Sequence, residues 1–202
     1  MDIKLNYHSS VLINNLIWID PLKVCGDVKV KYIFITHPHW DHFSVDDIKK
    51  IMTKNTKFVC PLSMKTDFEG NFKNNVLYVE PNNKYVFDGI EFETFSAYNI
   101  NNQYHPKVNG WVGYTIVMDG QTITITGDTD YTAELEKLHT DILLVPIGGT
   151  YTMNIGEAVD LVNLINPKKV IPTHYGDVVG DKDMGKEFSK LINNKIICEL
   201  LL

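Results

Sequence analysis

The sequence predicts an α/β fold: two mixed β-sheets packed face to face with helices outside, the four layers of an αβ/βα sandwich. Three observations predict it. The first half of the chain is strand-rich with a helix between strands, and the second half repeats strands and then helices. No short-period repeat, low-complexity run or linker breaks that order. Three apolar strands also end alike, on a threonine followed by a potential metal ligand. Tyr32-Ile-Phe-Ile-Thr36 runs into His37, Ile123-Thr-Ile-Thr126 into Gly127-Asp128, and Val170-Ile-Pro-Thr173 into His174. The ends of adjacent strands can converge on one edge of a sheet, where open α/β folds place their sites.

The elements follow in order. Residues 3–8 and 11–20 alternate or run apolar, with Asn14-Asn15 between two short strands, the pattern of a β-hairpin. The second of these, Leu16-Ile-Trp-Ile-Asp20, stops at Pro21. Residues 32–36 form the next strand. Ser44-Val-Asp-Asp47 reads as a helix start, with Ser44 as N-cap and an acid three residues on, and the helix is expected to reach about Lys54. Strands are expected at 57–60, 76–80, 84–87 and 90–95, the last two joined by Asp88-Gly89, and a short helix after Pro61. Residues 96–110 form a polar loop, long for a connection between packed elements and therefore suspected of function. A hairpin at 111–118 and 121–126 turns at Asp119-Gly120. Beyond it come a helix at 132–138, a strand at 141–145, a helix at 155–165, a strand at 169–173, a helix at 183–193 and a strand at 195–200.

Composition bounds the function. At 202 residues one domain, spanning 1–202, is expected, and it is long enough to bury a sizeable core. The formal charge is −6 and no basic stretch exceeds two residues, which disfavours nucleic acid and anionic membranes as partners. All 19 basic residues are lysine, so the bidentate guanidinium fork often used for phosphodiesters is missing. Cys25, Cys60 and Cys198 are few, widely spaced and odd in number, the usage of free thiols in a reducing compartment. The N-terminus opens as a strand, and no run approaches the roughly 18 apolar residues of a membrane span. A cytoplasmic location is expected.

The chemistry concentrates in His37-x-His39-x-Asp41-His42, directly after the strand at 32–36. Neutral imidazole is a common ligand for zinc and related metals, and two rings one residue apart can reach a single ion from a loop. Asp41 and His42 can point at a second ion or at a water. One histidine alone would suit a polar loop; four potential ligands in six residues point to metal. Asp128 alone would read as a turn or cap residue, but beside this cluster it and His174 read as ligands.

The spacing His37-x-His39-x-Asp41-His42 resembles the signature of the metallo-β-lactamase superfamily. Gly127-Asp128-Thr129 is similar to the motif whose aspartate bridges two metals, and Thr173-His174-Tyr175-Gly176 to the one supplying the final histidine. The opening Tyr7-His8-Ser9-Ser10, the Ile19-Asp20-Pro21 that follows and the segment 148–153 resemble a short branch, the L-ascorbate-6-phosphate-lactonase-like metal-dependent hydrolases. The resemblance spans the whole chain and implies the αβ/βα sandwich of that fold. It also implies that His37 and His39 hold one metal, that Asp41, His42 and His174 hold the other, and that Asp128 touches both.

The chain departs from the pattern at one place. Most of the superfamily has a further histidine between the first cluster and the bridging aspartate. The region here reads Ser96-Ala97-Tyr98-Asn99, and the next histidine is His105. His105 could fold back as that ligand or bind substrate; Tyr98 could substitute for it or donate to substrate. His8 reads either as a satisfied core histidine or, by the branch resemblance, as a residue beside the site. Core packing is the plainer reading of Trp40, Tyr104, Trp111 and Tyr151, with a pocket wall as the alternative.

These readings lead to a metal-dependent hydrolase. One or two divalent ions are expected, zinc first with Mn²⁺ or Fe as alternatives, activating a water that Asp41 orients or deprotonates. The expected substrate is a small ester, lactone or phosphoester, with no nucleic-acid or membrane partner and a homo-oligomer as an open option. The alternative is a non-catalytic metal-binding or sensory domain with an incomplete first site.

Overall fold

The computed structural model describes residues 1–72 and 75–202. Two mixed sheets form. The first takes β1 (Ile3–Tyr7), β2 (Ser10–Ile13), β3 (Ile17–Ile19), β4 (Tyr32–Phe34), β5 (Lys57–Pro61) and β6 (Val76–Val79) in sequence order. It is antiparallel from β1 to β3 and parallel from β3 to β6. The second sheet runs β13-β12-β11-β10-β9-β8-β7. Its strands are β7 (Lys84–Phe87), β8 (Ile90–Ser96), β9 (Val112–Met118), β10 (Gln121–Ile125), β11 (Ile142–Pro146), β12 (Lys169–Thr173) and β13 (Ile197–Cys198). It is antiparallel from β7 to β10 and parallel from β10 to β13.

Strand alternation explains how four layers arise. Tyr32 and Phe34 of β4 turn inward, with Ile13, Ile19 and Val59, onto Tyr114, Ile116, Ile123 and Leu144 of the second sheet. Ile33 and Ile35 turn outward and pack with Ile48 and Ile51 of α1 (Val45–Ile51) and Phe68 of α2 (Lys65–Glu69). On the far side, Leu143, Val145 and Val170 pack against α3 (Ile155–Ile165) and α4 (Met184–Leu191) through Leu161, Val162 and Phe188. A residue period of two puts alternate side chains of one strand into different apolar layers. The predicted αβ/βα sandwich is the observed one.

Local chemistry sets the boundaries. Asn14 and Asn15 both take positive φ, 51° and 50°, at the centre of a tight turn closed by the Leu16 amide donating to the Ile13 carbonyl. Ser44 caps α1 by accepting from the Asp47 amide. The helix ends at Ile51 and not at Lys54, because Met52 is extended and the Thr53 amide is taken by the Thr56 hydroxyl. The helix expected at 132–138 is only one 3₁₀ turn, Leu135–Lys137. Its hydrogen bonds reach three residues back, and a segment this short cannot repay helix nucleation. The last strand shrinks to Ile197–Cys198, the two residues in register with Lys169 and Val170. Among the described residues no helix is long and apolar enough to cross a membrane. The three cysteines are free thiols.

Two features hold the sheets in place near the site. The Tyr114 hydroxyl donates to the Ile35 carbonyl across the interface, 2.6 Å, two residues before His37. Gly113 lies under the Phe95 ring, and an added Cβ would meet Phe95 Cζ at 2.3 Å and the Thr126 carbonyl oxygen at 2.7 Å. Ring and backbone cannot both retreat in a packed sheet. Gly113→Ala is expected to cost about 1–3 kcal/mol, read as a lower midpoint in chemical denaturation with an unchanged slope.

Candidate metal centre

The three threonine-ended strands meet at one end of the sandwich, but they come from different sheets. β4 belongs to the first, β10 and β12 to the second. The site is thus built between two sheets, not along the edge of one. Two further segments complete it: the β1–β2 turn, carrying His8, and the long connection from β8 to β9, carrying His105.

The donors fall into overlapping groups. His37, His39 and His105 form one, and His8, Asp41, His42 and His174 form another, each with ligand atoms within 4.8 Å of one another. Asp128 lies between them. Its Oδ1 is 3.2 Å from His42 Nε2, and its Oδ2 is 2.9 Å from His174 Nε2, 3.4 Å from His105 Nε2 and 3.9 Å from His37 Nε2. Asp41 Oδ2 stands 3.3 Å from His8 Nε2 and 3.7 Å from both His42 Nε2 and His174 Nε2. All of these residues are buried except His39, which is half-buried.

A layer of hydrogen bonds behind the donors aims them. The Asp20 carboxylate accepts from the Thr36 amide (2.8 Å), from the Thr36 hydroxyl (2.6 Å) and from His42 Nδ1 (2.8 Å). With its proton committed to Asp20, the Thr36 oxygen accepts from His37 Nδ1 at 2.9 Å. One carboxylate therefore fixes the orientation of two imidazoles and turns Nε2 of both toward the site. Asn99 does the same for His105. Its Oδ1 accepts from His105 Nδ1 at 2.8 Å, while its Nδ2 donates to Asp130 Oδ1 and to the Tyr151 carbonyl. Trp111 is buried with its ring centroid 4.8–5.4 Å from those of His37, His39 and His105, and so backs the group as core.

Backbone strain appears where the sheets are tied together. His8 and His174 both take left-handed conformations, φ 53° and 57°. The His174 amide donates to the His8 carbonyl at 3.1 Å, and the two rings lie 3.8 Å apart. Non-glycine residues persist there only when their surroundings over-determine them.

The sequence expectations can be placed residue by residue. The structure brings together His37, His39, Asp41, His42, Asp128 and His174, and adds His105 and His8. Tyr98 does not join them. Its hydroxyl donates to Glu134 at 2.8 Å and its ring lies beneath the Lys107 ammonium, so the expectation of a ligand or substrate donor there is corrected. Trp40, Tyr104 and Tyr151, expected as core, line a cleft beside the donors. Asp20, Thr36 and Asn99 were not singled out as positioning residues. Only the Ile19-Asp20-Pro21 resemblance and the strand-ending Thr36 hinted at two of them.

The electrostatics follow from burial opposed by neighbours. Burial pushes the Asp128 carboxyl up, but His174, His42 and His105 outweigh it and hold it well below the carboxylate range. Asp41 is lowered in the same way by His174, His8 and His42. Burial drives His37 well down, reinforced by His42, leaving a neutral ring. His42 is the reverse case: against burial, Asp128 and Asp20 raise it well above the ordinary imidazole value. His174 is raised by Asp128 and Asp41, also against burial. A cation must therefore displace protons from His42 and His174. Affinity is expected to fall as pH drops through the raised titrations of these two imidazoles, and so to begin falling above the ordinary imidazole range. Zinc calorimetry in two buffers of different ionisation enthalpy checks this, and identical heats in both would contradict it.

The residues fit a metal. Among the described residues, the buried side-chain polar atoms without a hydrogen-bond partner include Nε2 of His8, His37, His42, His105 and His174 and Oδ1 of Asp128. Each would cost about 1–3 kcal/mol if left unsatisfied. Imidazole nitrogen and carboxylate oxygen are donors for zinc and its neighbours.

The family description "Beta-lactamase superfamily domain" matches residues 3–174. The chain belongs to that superfamily. It is 31% identical over 180 residues to a UPF0173 metal-dependent hydrolase of Staphylococcus carnosus, covering 83% of this chain and 77% of the relative. A UPF0173 protein of Pyrococcus abyssi is 30% identical over 159 residues, 78% of this chain and 72% of the relative. These relatives place this superfamily member among the metal-dependent hydrolases. A solved structure from Parabacteroides distasonis superposes with a TM-score of 0.81 at 25% identity, covering 98% of this chain and 91% of that one. An isothiocyanate hydrolase from Delia radicum gut bacteria shares the fold, with a TM-score of 0.74 at 14% identity and coverage of 98% and 96%.

Proposed function

We propose that this protein is a cytoplasmic hydrolase of small esters, lactones or phosphoesters that works with two divalent cations, zinc first and manganese or iron as substitutes. The observation that carries the reading is the convergence of buried imidazole nitrogens on Asp128 from both sides. His37, His39 and His105 would hold one ion. Asp41, His42 and His174 would hold the other, with His8 against Asp41 and Asp128 touching both. Bound there, the ions would supply Lewis acidity and lower the pKa of a coordinated water toward ~7.

The chain's own groups supply the rest. Asp41, kept ionised by its imidazole neighbours, is placed to orient a water or take its proton. Asp20 and Asn99 hold the imidazoles in the orientation that presents Nε2. Trp111, buried behind the first group, closes that side of it. The histidine missing near residue 98 favours a non-catalytic metal-binding domain, and His105, held by Asn99 beside His37 and His39, weighs against it.

Metal content per chain decides between one and two ions. Protein purified without added metal is expected to carry close to two ions, and His105→Ala close to one. About one ion in both proteins would remove His105 from the ligands and leave a mononuclear centre.

A further inference from the structure

We propose that this site selects substrates whose non-reacting arm is short, uncharged and apolar or aromatic, and rejects arms that end in a phosphate or carboxylate. The proposal rests on the hydrolase reading above. A cleft of about 490 Å³ opens over His39, Asp41, His105 and Asp128, and its remaining walls are Trp40, Tyr104, Tyr151, Val178 and Val179. Two of these walls start one residue from a donor: Trp40 stands between His39 and Asp41, and Tyr104 precedes His105. A substrate that reacts at the donors and fills the cleft lays its arm against them.

The walls are unusual for a surface. Trp40 is 67% exposed and Tyr104 51%, although large aromatic side chains normally bury. Tyr104 meets Tyr151 edge to face with centroids 4.7 Å apart, so the two rings stand as a fixed pair. Aromatic walls beside a few converging polar groups are the usual lining of a small-molecule site.

Charge sharpens the choice. Among the described residues that line the cleft there is no lysine, and the sequence contains no arginine. The charged lining is acidic, Asp41 and Asp128, and both carboxylates face imidazoles. Lys107, on the same connection as Tyr104, is held by Glu134. An anionic arm would lose its water with no cation to receive it, a transfer far costlier than for an apolar arm. Cations bound at the donors would compensate the reacting group, which touches them, but not an arm lying on Tyr104 and Tyr151.

The test uses a matched pair of arms, five-carbon valeryl and the similarly sized succinyl, which differ at the end by a carboxylate. On the metal-loaded protein, 4-nitrophenyl valerate is expected to exceed mono-4-nitrophenyl succinate in kcat/KM by on the order of a hundredfold. Valerohydroxamic acid should bind tighter than succinic monohydroxamic acid in calorimetry, a readout that needs no turnover. Tyr151→Lys should narrow both preferences about tenfold by offering a cation, and Trp40→Ala, at an exposed position, should weaken the valeryl arm alone. Hydroxamates that bind without this preference, or do not bind, overturn the proposal. If neither ester is cleaved while the hydroxamates keep their order, the hydrolase reading fails and the arm selectivity stands.

Discussion

Asp128→Ala is expected to abolish hydrolysis and to strip the protein of metal while leaving the fold intact. Among the described residues, Asp128 is the carboxylate whose two oxygens face both donor groups, Oδ1 toward His42 and Oδ2 toward His174, His105 and His37. Its removal would take away the ligand proposed to be shared and also the charge that balances the imidazoles; on uptake of cations, positive charge would then face positive charge. A loss on the order of a thousandfold in kcat/KM is expected. Elemental analysis should show a matching fall in bound metal. Asp128 follows a β-strand and is not part of a ladder, so circular dichroism should match the wild type. His37→Ala is expected to behave alike, through the first group only. Full activity in either variant after metal reconstitution would refute the dinuclear site.

The second large effect is predicted at a residue that touches no metal. Asp20→Ala should lower metal affinity by about 10–100-fold, because one carboxylate orients both His42, directly, and His37, through Thr36. The change removes three hydrogen bonds to a buried charge, so stability should fall too. Asp20→Asn separates the two effects. It keeps the shape but replaces one acceptor oxygen with a donating NH2 group, so that the Thr36 amide or the Thr36–His42 pair meets a donor, and it should lose less stability than the alanine variant while still losing affinity. Competition with a chromophoric chelator measures the first quantity and urea unfolding the second. Wild-type affinity in both variants would mean that packing alone sets the imidazole orientation.

The residues show why some of this was legible in the sequence and some was not. His37, His39, Asp41 and His42 lie within six positions after a strand, so their proximity is guaranteed by chain connectivity. The hairpin at Asn14-Asn15, the Ser44 cap and the alternation of β4 and β11 are local rules acting on local residues. The segment 132–138 failed because its apolar spacing suits a 3₁₀ turn that anchors Leu135 as well as it suits a helix. Tyr98 and His105 illustrate the other limit. Both lie on the same long connection, and nothing in their spacing says which turns inward. The decision rests with Asn99, whose side chain closes the loop onto Asp130 and the Tyr151 carbonyl and points His105 at Asp128.

The layered α/β architecture and the candidate donors at three strand ends are legible in the sequence, because strand period, turn residues and adjacent histidines and carboxylates are encoded within a few positions. The tertiary structure alone decided that β4 meets β10 and β12 from opposite sheets, that His8 and His105 join the site, and that Trp40, Tyr104 and Tyr151 form its wall. Those outcomes depend on contacts between residues far apart in the chain, such as the Tyr114 hydroxyl on Ile35 and the His174 amide on His8, which exist only once two apolar sheet faces have been removed from water together.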